Sequence, residues 1–243
     1  MTLDQRTETK FSLGREGEVV LTTAPGVFLP TGTTNLLIQA VQKSISGPVT
    51  LLDLGCGTGI VGLALHFHGL VTSPLYASDL SAAAVRCSRV NFDRYGCLAD
   101  VRGGPLFKPW LGEKFDVIVD DISGVAQDVA IVSPWFAGIP CETGRDGVAL
   151  VVDILRTAPR HLAQGGRLFF PVLSLSNVDL ILKEARESFS RIERVARLEW
   201  PLPAELKMHM PLLEKLEADG CIRLQERFGM ILCYTEIYCA TNS

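Results

Sequence analysis

Two aspartates, Asp120 and Asp121, stand side by side in the segment VIVDDISG, residues 117–124. An apolar run stops at them, and Ser123 and Gly124 follow. Vicinal carboxylates repel each other, so their placement at the end of a strand-like run asks for a use. They can position or deprotonate an acceptor that carries a hydrogen, or bind a cationic one. The structural alternative is that one caps the following turn and the other is solvated. Hard oxygens also suit a divalent metal, but no third ligand accompanies them, and no metal is expected.

A second cluster lies upstream in LLDLGCGTGIVG, residues 51–62. Gly55, Gly57 and Gly59 let backbone approach a ligand closely at a strand-to-helix turn, where a new helix presents free N–H groups. The stretch from Gly57 to Gly62 matches GxGxxG, and Asp79 lies where a ribose-binding acid belongs. On that pattern alone an NAD-dependent oxidoreductase is an alternative. Asp53 discriminates. A carboxylate two residues before the first glycine repels a pyrophosphate and welcomes a cation. S-adenosylmethionine carries a sulfonium and an ammonium group and no phosphate.

The elements that must position these residues follow from hydrophobic periodicity. Short apolar runs at 49–55, 74–80, 98–104, 115–121 and 167–173 read as strands, and 193–200 and 230–240 as final strands. Helix-period segments alternate with them: 60–70, 81–96 capped by Ser81, 147–166 with a Gly-Gly stop, and 177–190. Such alternation predicts an α/β fold, a parallel sheet with helices on both faces. Ligands in such sheets bind beyond the carboxyl ends of the strands, which gathers the glycine turn, Asp79 and the Asp120–Asp121 pair on one edge. The chain reads as a single domain over 1–243. Residues 201–229 stand out as too long for a tight hairpin and read as either a lid-like insertion over the acceptor or packing decoration.

The 243 residues are 47% apolar and 21% charged, ordinary for a globular protein. The net charge of −4 and the lack of basic runs make a nucleic-acid partner unlikely on this reading. Seven scattered cysteines form no CxxC pair, and the four histidines make no zinc spacing with them. Reduced thiols, a polar start and no long apolar run predict a cytoplasmic protein without signal peptide or membrane span.

DLGCGTG at 53–59 resembles the first motif of class I S-adenosylmethionine-dependent methyltransferases. ASDLSAAAV at 77–85 is similar to their second acidic motif, whose acid binds both ribose hydroxyls. The resemblance implies cofactor contacts from Asp53, Gly55, Cys56, Gly57, Gly59, Asp79 and Leu80. GVFLPTGTTNLLIQAV at 26–41 and the segment 143–170 resemble the release-factor glutamine methyltransferase group and its small-domain relatives. There, early side chains hold the methionine end of the cofactor. Thr31, Thr33 and Thr34 match, with helix capping as the alternative for each. The group's Asn-Pro-Pro-Tyr motif is replaced: Asp121 stands at the asparagine, Ser123 at the second proline and Gly124 at the tyrosine. The aromatic platform is therefore missing at that place. An acid that meets the adenine after the third strand is missing too, and Pro105 stands near it.

The resemblance implies a Rossmann-like, seven-stranded methyltransferase sheet, mostly parallel with an antiparallel last strand. It implies methyl transfer from S-adenosylmethionine, with Asp121, Asp120 and Ser123 at the acceptor. The expected acceptor is an N or O nucleophile of a small molecule or peptide-sized metabolite. A protein amide or nucleic-acid base is the alternative within the group, and a non-catalytic protein of the same fold the alternative outside it.

Overall fold

The computed structural model describes residues 7–13, 17–122, 124–136, 139 and 141–242. Ser123 lies outside them. The chain opens with a hairpin, β1 (Thr7–Ser12) and β2 (Glu18–Thr23). The sequence reading assigned no element there. Phe11, Val19 and Leu21 bury against the core, and Asn91 ties β2 down through Thr22.

The main body alternates as periodicity predicts. In order come α1 (Gly32–Ser44), β3 (Leu51–Leu54), α2 (Ile60–Phe67), β4 (Leu75–Asp79), α3 (Ala82–Arg94), β5 (Ala99–Gly103), β6 (Phe115–Asp120) and α4 (Gln127–Val132). Then follow α5 (Ala149–Thr157), β7 (Leu162–Leu173), α6 (Val178–Ser188) and β8 (Arg191–Pro201). The last elements are α7 (Ala204–Lys207), α8 (Met210–Ala218), β9 (Gln225–Arg227) and β10 (Met230–Thr241). The strand order is β5-β4-β3-β6-β7-β10-β8, with short β9 pairing β10 as an eighth strand. β3 to β7 pair in parallel, and β10 runs antiparallel to both β7 and β8. This is the expected mostly parallel sheet with an antiparallel last strand.

Both faces of the sheet are covered, so its strands alternate between two cores. Leu51, Val117, Val119 and Phe169 face the core of α1 and α2, whereas Leu52, Ile118, Leu168 and Phe170 face that of α5 and α6. The same alternation sends Asp121 toward α1 and Asp120 toward the other face. One expectation needs correcting: no helix spans 147–166. Pro159 lacks the N–H a helix needs, α5 ends at Thr157 and β7 has begun by Leu162. Gly166 is no helix stop. Its hydrogen faces the carbonyl of Phe115, where a Cβ would come within 3.0 Å.

Candidate functional site

The glycine turn is held before any ligand arrives. The amides of Gly55 and Cys56 donate to the carbonyl of Ser78 at 2.8 and 2.9 Å, clipping the end of β3 to β4. Gly57 has φ of +54°, which suits glycine, and the space at its Cβ position is open except for the carbonyl of Phe28 at 3.7 Å. Its amide donates to Asp79 Oδ2 at 2.9 Å. Asp79 Oδ1 accepts from the amide of Ser81 at 2.7 Å, so both carboxylate oxygens are aimed by backbone. Gly59 serves packing instead: a Cβ there would sit 2.7 Å from the ring of Phe92 on α3.

Asp53 is fully buried. Its Oδ2 accepts from the amide of Gly62 at 2.9 Å, and its Oδ1 has no partner. Burial pushes its carboxyl up to about 7, against the Gly62 hydrogen bond, and the charges of Asp121 and Asp79 add to the rise. Burial likewise raises Asp79. Asp120 is also fully buried, with Oδ1 accepting from the amide of Ile122 at 2.8 Å and Oδ2 unpartnered. Burial drives it up to about 8, with the charges of Asp121 and Asp53 adding to the rise. Half-buried Asp121 is pushed up to about 7 by burial, opposed by the hydroxyl of Thr34. Asp53, Asp79 and Asp121 form an acidic hollow that favours a positively charged ligand without phosphate. Among the described residues, no three His, Cys, Asp or Glu side chains converge as a metal site.

Two cavities meet here. The larger, about 460 Å³, is lined by Asp53, Gly55, Cys56, Gly57, Asp79 and Leu80 among others, with Gly104, Pro105 and Leu106 at one end. That size lies in the range of small-molecule sites, roughly 300–1,000 Å³. The smaller, about 230 Å³, is walled by Phe28, Trp135, Phe136 and Trp200. Asp121, Phe28 and Phe136 belong to both.

The structure thus gathers the glycine turn, Asp79 and Asp121, as the sheet-edge argument expects. It separates other members of the expected set. Asp120 and Gly59 line neither cavity. Thr31 and Thr33 line the smaller cavity, and Thr34 reaches the larger one. Thr31 is the N-cap of α1, its hydroxyl accepting from the amide of Thr33 at 3.2 Å. Sequence reasoning missed three of these aromatic walls, Phe28, Trp135 and Phe136. The fourth-motif tyrosine is absent, yet Trp135 and Trp200 meet at 5.7 Å and Phe28 and Phe136 at 5.3 Å. The cue available was SPWF, residues 133–136, just after the Asp pair.

Residues 18–121 match the family model described as methyltransferase small domain. A release factor glutamine methyltransferase of Gloeobacter violaceus is 27% identical over 177 residues, covering 68% of this chain and 60% of that one. A ribosomal RNA small subunit methyltransferase C of Enterobacter sp. is 31% identical, covering 62% of this chain and 39% of that one. The chain therefore spans less than two thirds of the length of these relatives. Among solved structures, a T. thermophilus 16S rRNA methyltransferase in complex with AdoMet and guanosine superposes with a TM-score of 0.65 at 14% identity, covering 99% of this chain and 51% of that one. The ribosomal RNA methyltransferase corrects one expectation. A nucleic-acid partner was judged unlikely from net charge, yet a relative over more than half of this chain is named for RNA. Net charge sums the whole surface and is blind to local patches or to a separate binding domain.

Proposed function

We infer that this chain, whose residues 18–121 match the methyltransferase small domain model, transfers the methyl group of S-adenosylmethionine to a nucleophile held beside Asp121. One observation carries the reading: Asp121 stands at the seam of two cavities, one built on the glycine turn and one walled by aromatic rings.

The larger cavity fits the cofactor on three grounds. Asp53 keeps an orphaned buried oxygen, the space above Gly57 is open, and the available side chains are carboxylates that suit a sulfonium and an ammonium. Asp79 would hold the ribose hydroxyls, and the backbone around Pro105 and Leu106 would read the adenine. When bound, the cofactor supplies an electrophilic methyl group and leaves as the thioether. The chain's own contribution is alignment and a proton acceptor. An ionised carboxylate only accepts hydrogen bonds, so Asp121 selects a nucleophile that bears an N–H or O–H and takes its proton. Thr34 fixes the carboxylate, and the aromatic walls keep water away.

Residues 201–229 act on the acceptor side in this reading. Leu206, Leu213, Leu216 and Ile222 share one apolar cluster with Val125, Val129 and Phe136, the loop that carries the aromatic wall. None of 201–229 lines either cavity, so the insertion braces this wall from behind. No helix among the described residues is long and apolar enough to cross a membrane.

The test is calorimetry with S-adenosylhomocysteine and NAD as rival ligands. Micromolar binding of the first and none of the second is expected. NAD binding without S-adenosylhomocysteine binding would sink the assignment.

A further inference from the structure

We propose that the smaller cavity is an aromatic box for an alkyl amine, and that the amine nitrogen, presented to Asp121, is the atom methylated. This inference rests on the methyl-transfer reading and narrows its acceptor to one chemical class.

The first support is the shape of the walls. Trp135 and Trp200 cross at 75°, and Phe28 and Phe136 at 50°. Neither pair forms the parallel slot that sandwiches a flat ring. Faces and edges turned at steep angles instead enclose a compact cationic head, which aromatic faces attract.

The second support is the polar inventory. Asp121 is the one ionisable group among the residues lining this cavity. Each hydroxyl at the lining already has a protein partner. Trp200 Nε1 donates to Thr235 Oγ1 at 3.3 Å, Thr235 Oγ1 lies 3.4 Å from Thr33 Oγ1, and Thr31 caps α1. A nucleobase or a carboxamide brings both donors and acceptors, and each one left unpaired in an apolar box costs roughly 1–3 kcal/mol. An alkyl amine brings one polar head, which one carboxylate satisfies, and an apolar stem that the rings cover. Exposed Gly32 and Leu198 at the lining leave a way in for that stem.

The proton and charge balance closes. The ammonium gives one proton to ionised Asp121 and becomes a neutral amine with a lone pair. That pair forms the N–CH3 bond as the S–CH3 bond breaks, and the bonding electrons stay on sulfur. The product is a methylammonium ion, and Asp121 releases its proton to solvent.

Binding and transfer are measured on the full chain. With S-adenosylhomocysteine present, n-butylamine should quench tryptophan emission in a saturable way. Trp200→Ala should weaken that binding at least tenfold while S-adenosylhomocysteine affinity stays within twofold, and Trp200→Phe should restore most of it. Radiolabelled methyl should pass to n-butylamine or to Nα-acetyl-lysine amide, and the better of the two tells a free amine from a protein side chain. Label on Nα-acetyl-glutamine amide or on ribosomal RNA, with neither amine labelled, overturns the inference. So does S-adenosylhomocysteine binding without any response to either amine. Loss of S-adenosylhomocysteine binding itself would mark failure of the underlying methyl-transfer reading.

Discussion

Thr34 Oγ1 donates to Asp121 Oδ2 at 2.7 Å, and the same hydroxyl accepts from the amide of Thr31 at 3.0 Å. One side chain thereby closes the capping box of α1 and fixes the carboxylate at the end of β6. Helix start and candidate acceptor group are mechanically one unit. Asp121→Asn should lower methyl transfer about 10²-fold, the usual loss for a general base. S-adenosylhomocysteine affinity should change less than twofold. Full turnover of the variant in a radiolabel assay would make the carboxylate structural.

Thr34→Val removes the hydrogen bond that holds the Asp121 carboxyl down against burial. Its pKa should rise further from about 7. A base works only when ionised, so the rising limb of the pH–rate profile should move to higher pH. A limb that stays in place would separate Thr34 from the titration of Asp121.

Asp79→Ala should weaken S-adenosylhomocysteine binding by about 1.5–3 kcal/mol through loss of charge-assisted hydrogen bonds. Gly57→Val should abolish binding, because a branched side chain strains the φ of +54° and fills the open space above the turn. Calorimetry decides both, and wild-type affinity in Gly57→Val would remove the turn from the site.

Stability of the ligand-free protein should fall as pH rises. Burial holds Asp120 at about 8 and Asp53 at about 7, against an ordinary value of 3.8. Between these values the folded chain keeps protons that the unfolded chain has lost. The stabilisation is complete below the ordinary value and is lost as pH climbs through the folded ones. Each group contributes up to about 1.4 kcal/mol per pH unit within that window. Asp120→Asn keeps an acceptor for the Ile122 amide and removes one titration, so its thermal melts should depend less on pH. A wild-type midpoint that rises from about pH 5 to about pH 8 would contradict the assignment.

Leu213→Ala, in the fully buried face of α8, should cost about 2–5 kcal/mol in urea unfolding. At temperatures where the variant remains folded, acceptor turnover should drop and S-adenosylhomocysteine affinity should hold, because 201–229 braces the aromatic wall and not the glycine turn. Equal loss of both would make the insertion general packing.

The alternating sheet and the glycine turn were legible from residue order alone, whereas the antiparallel last strand came only through the family resemblance. Each is a local pattern: an apolar run, a helical period, or three glycines behind an acid. The ends of α5 and β7 were misread because Gly165 and Gly166 mark a helix stop in sequence but sit within a strand. The β1–β2 hairpin went unseen because its few apolar residues gain burial only against parts of the chain distant in sequence, α3 among them. Sequence also placed Asp120 and Asp121 together at a strand end. Strand alternation by itself points the two to opposite faces, and only the tertiary structure decided that Asp121 meets Thr34. The aromatic box is tertiary throughout. Phe28, Trp135 and Trp200 lie on three segments far apart in the chain, and no local periodicity links them. They become one wall because the segment before α1, the turn after α4 and the end of β8 converge on the same edge of the sheet.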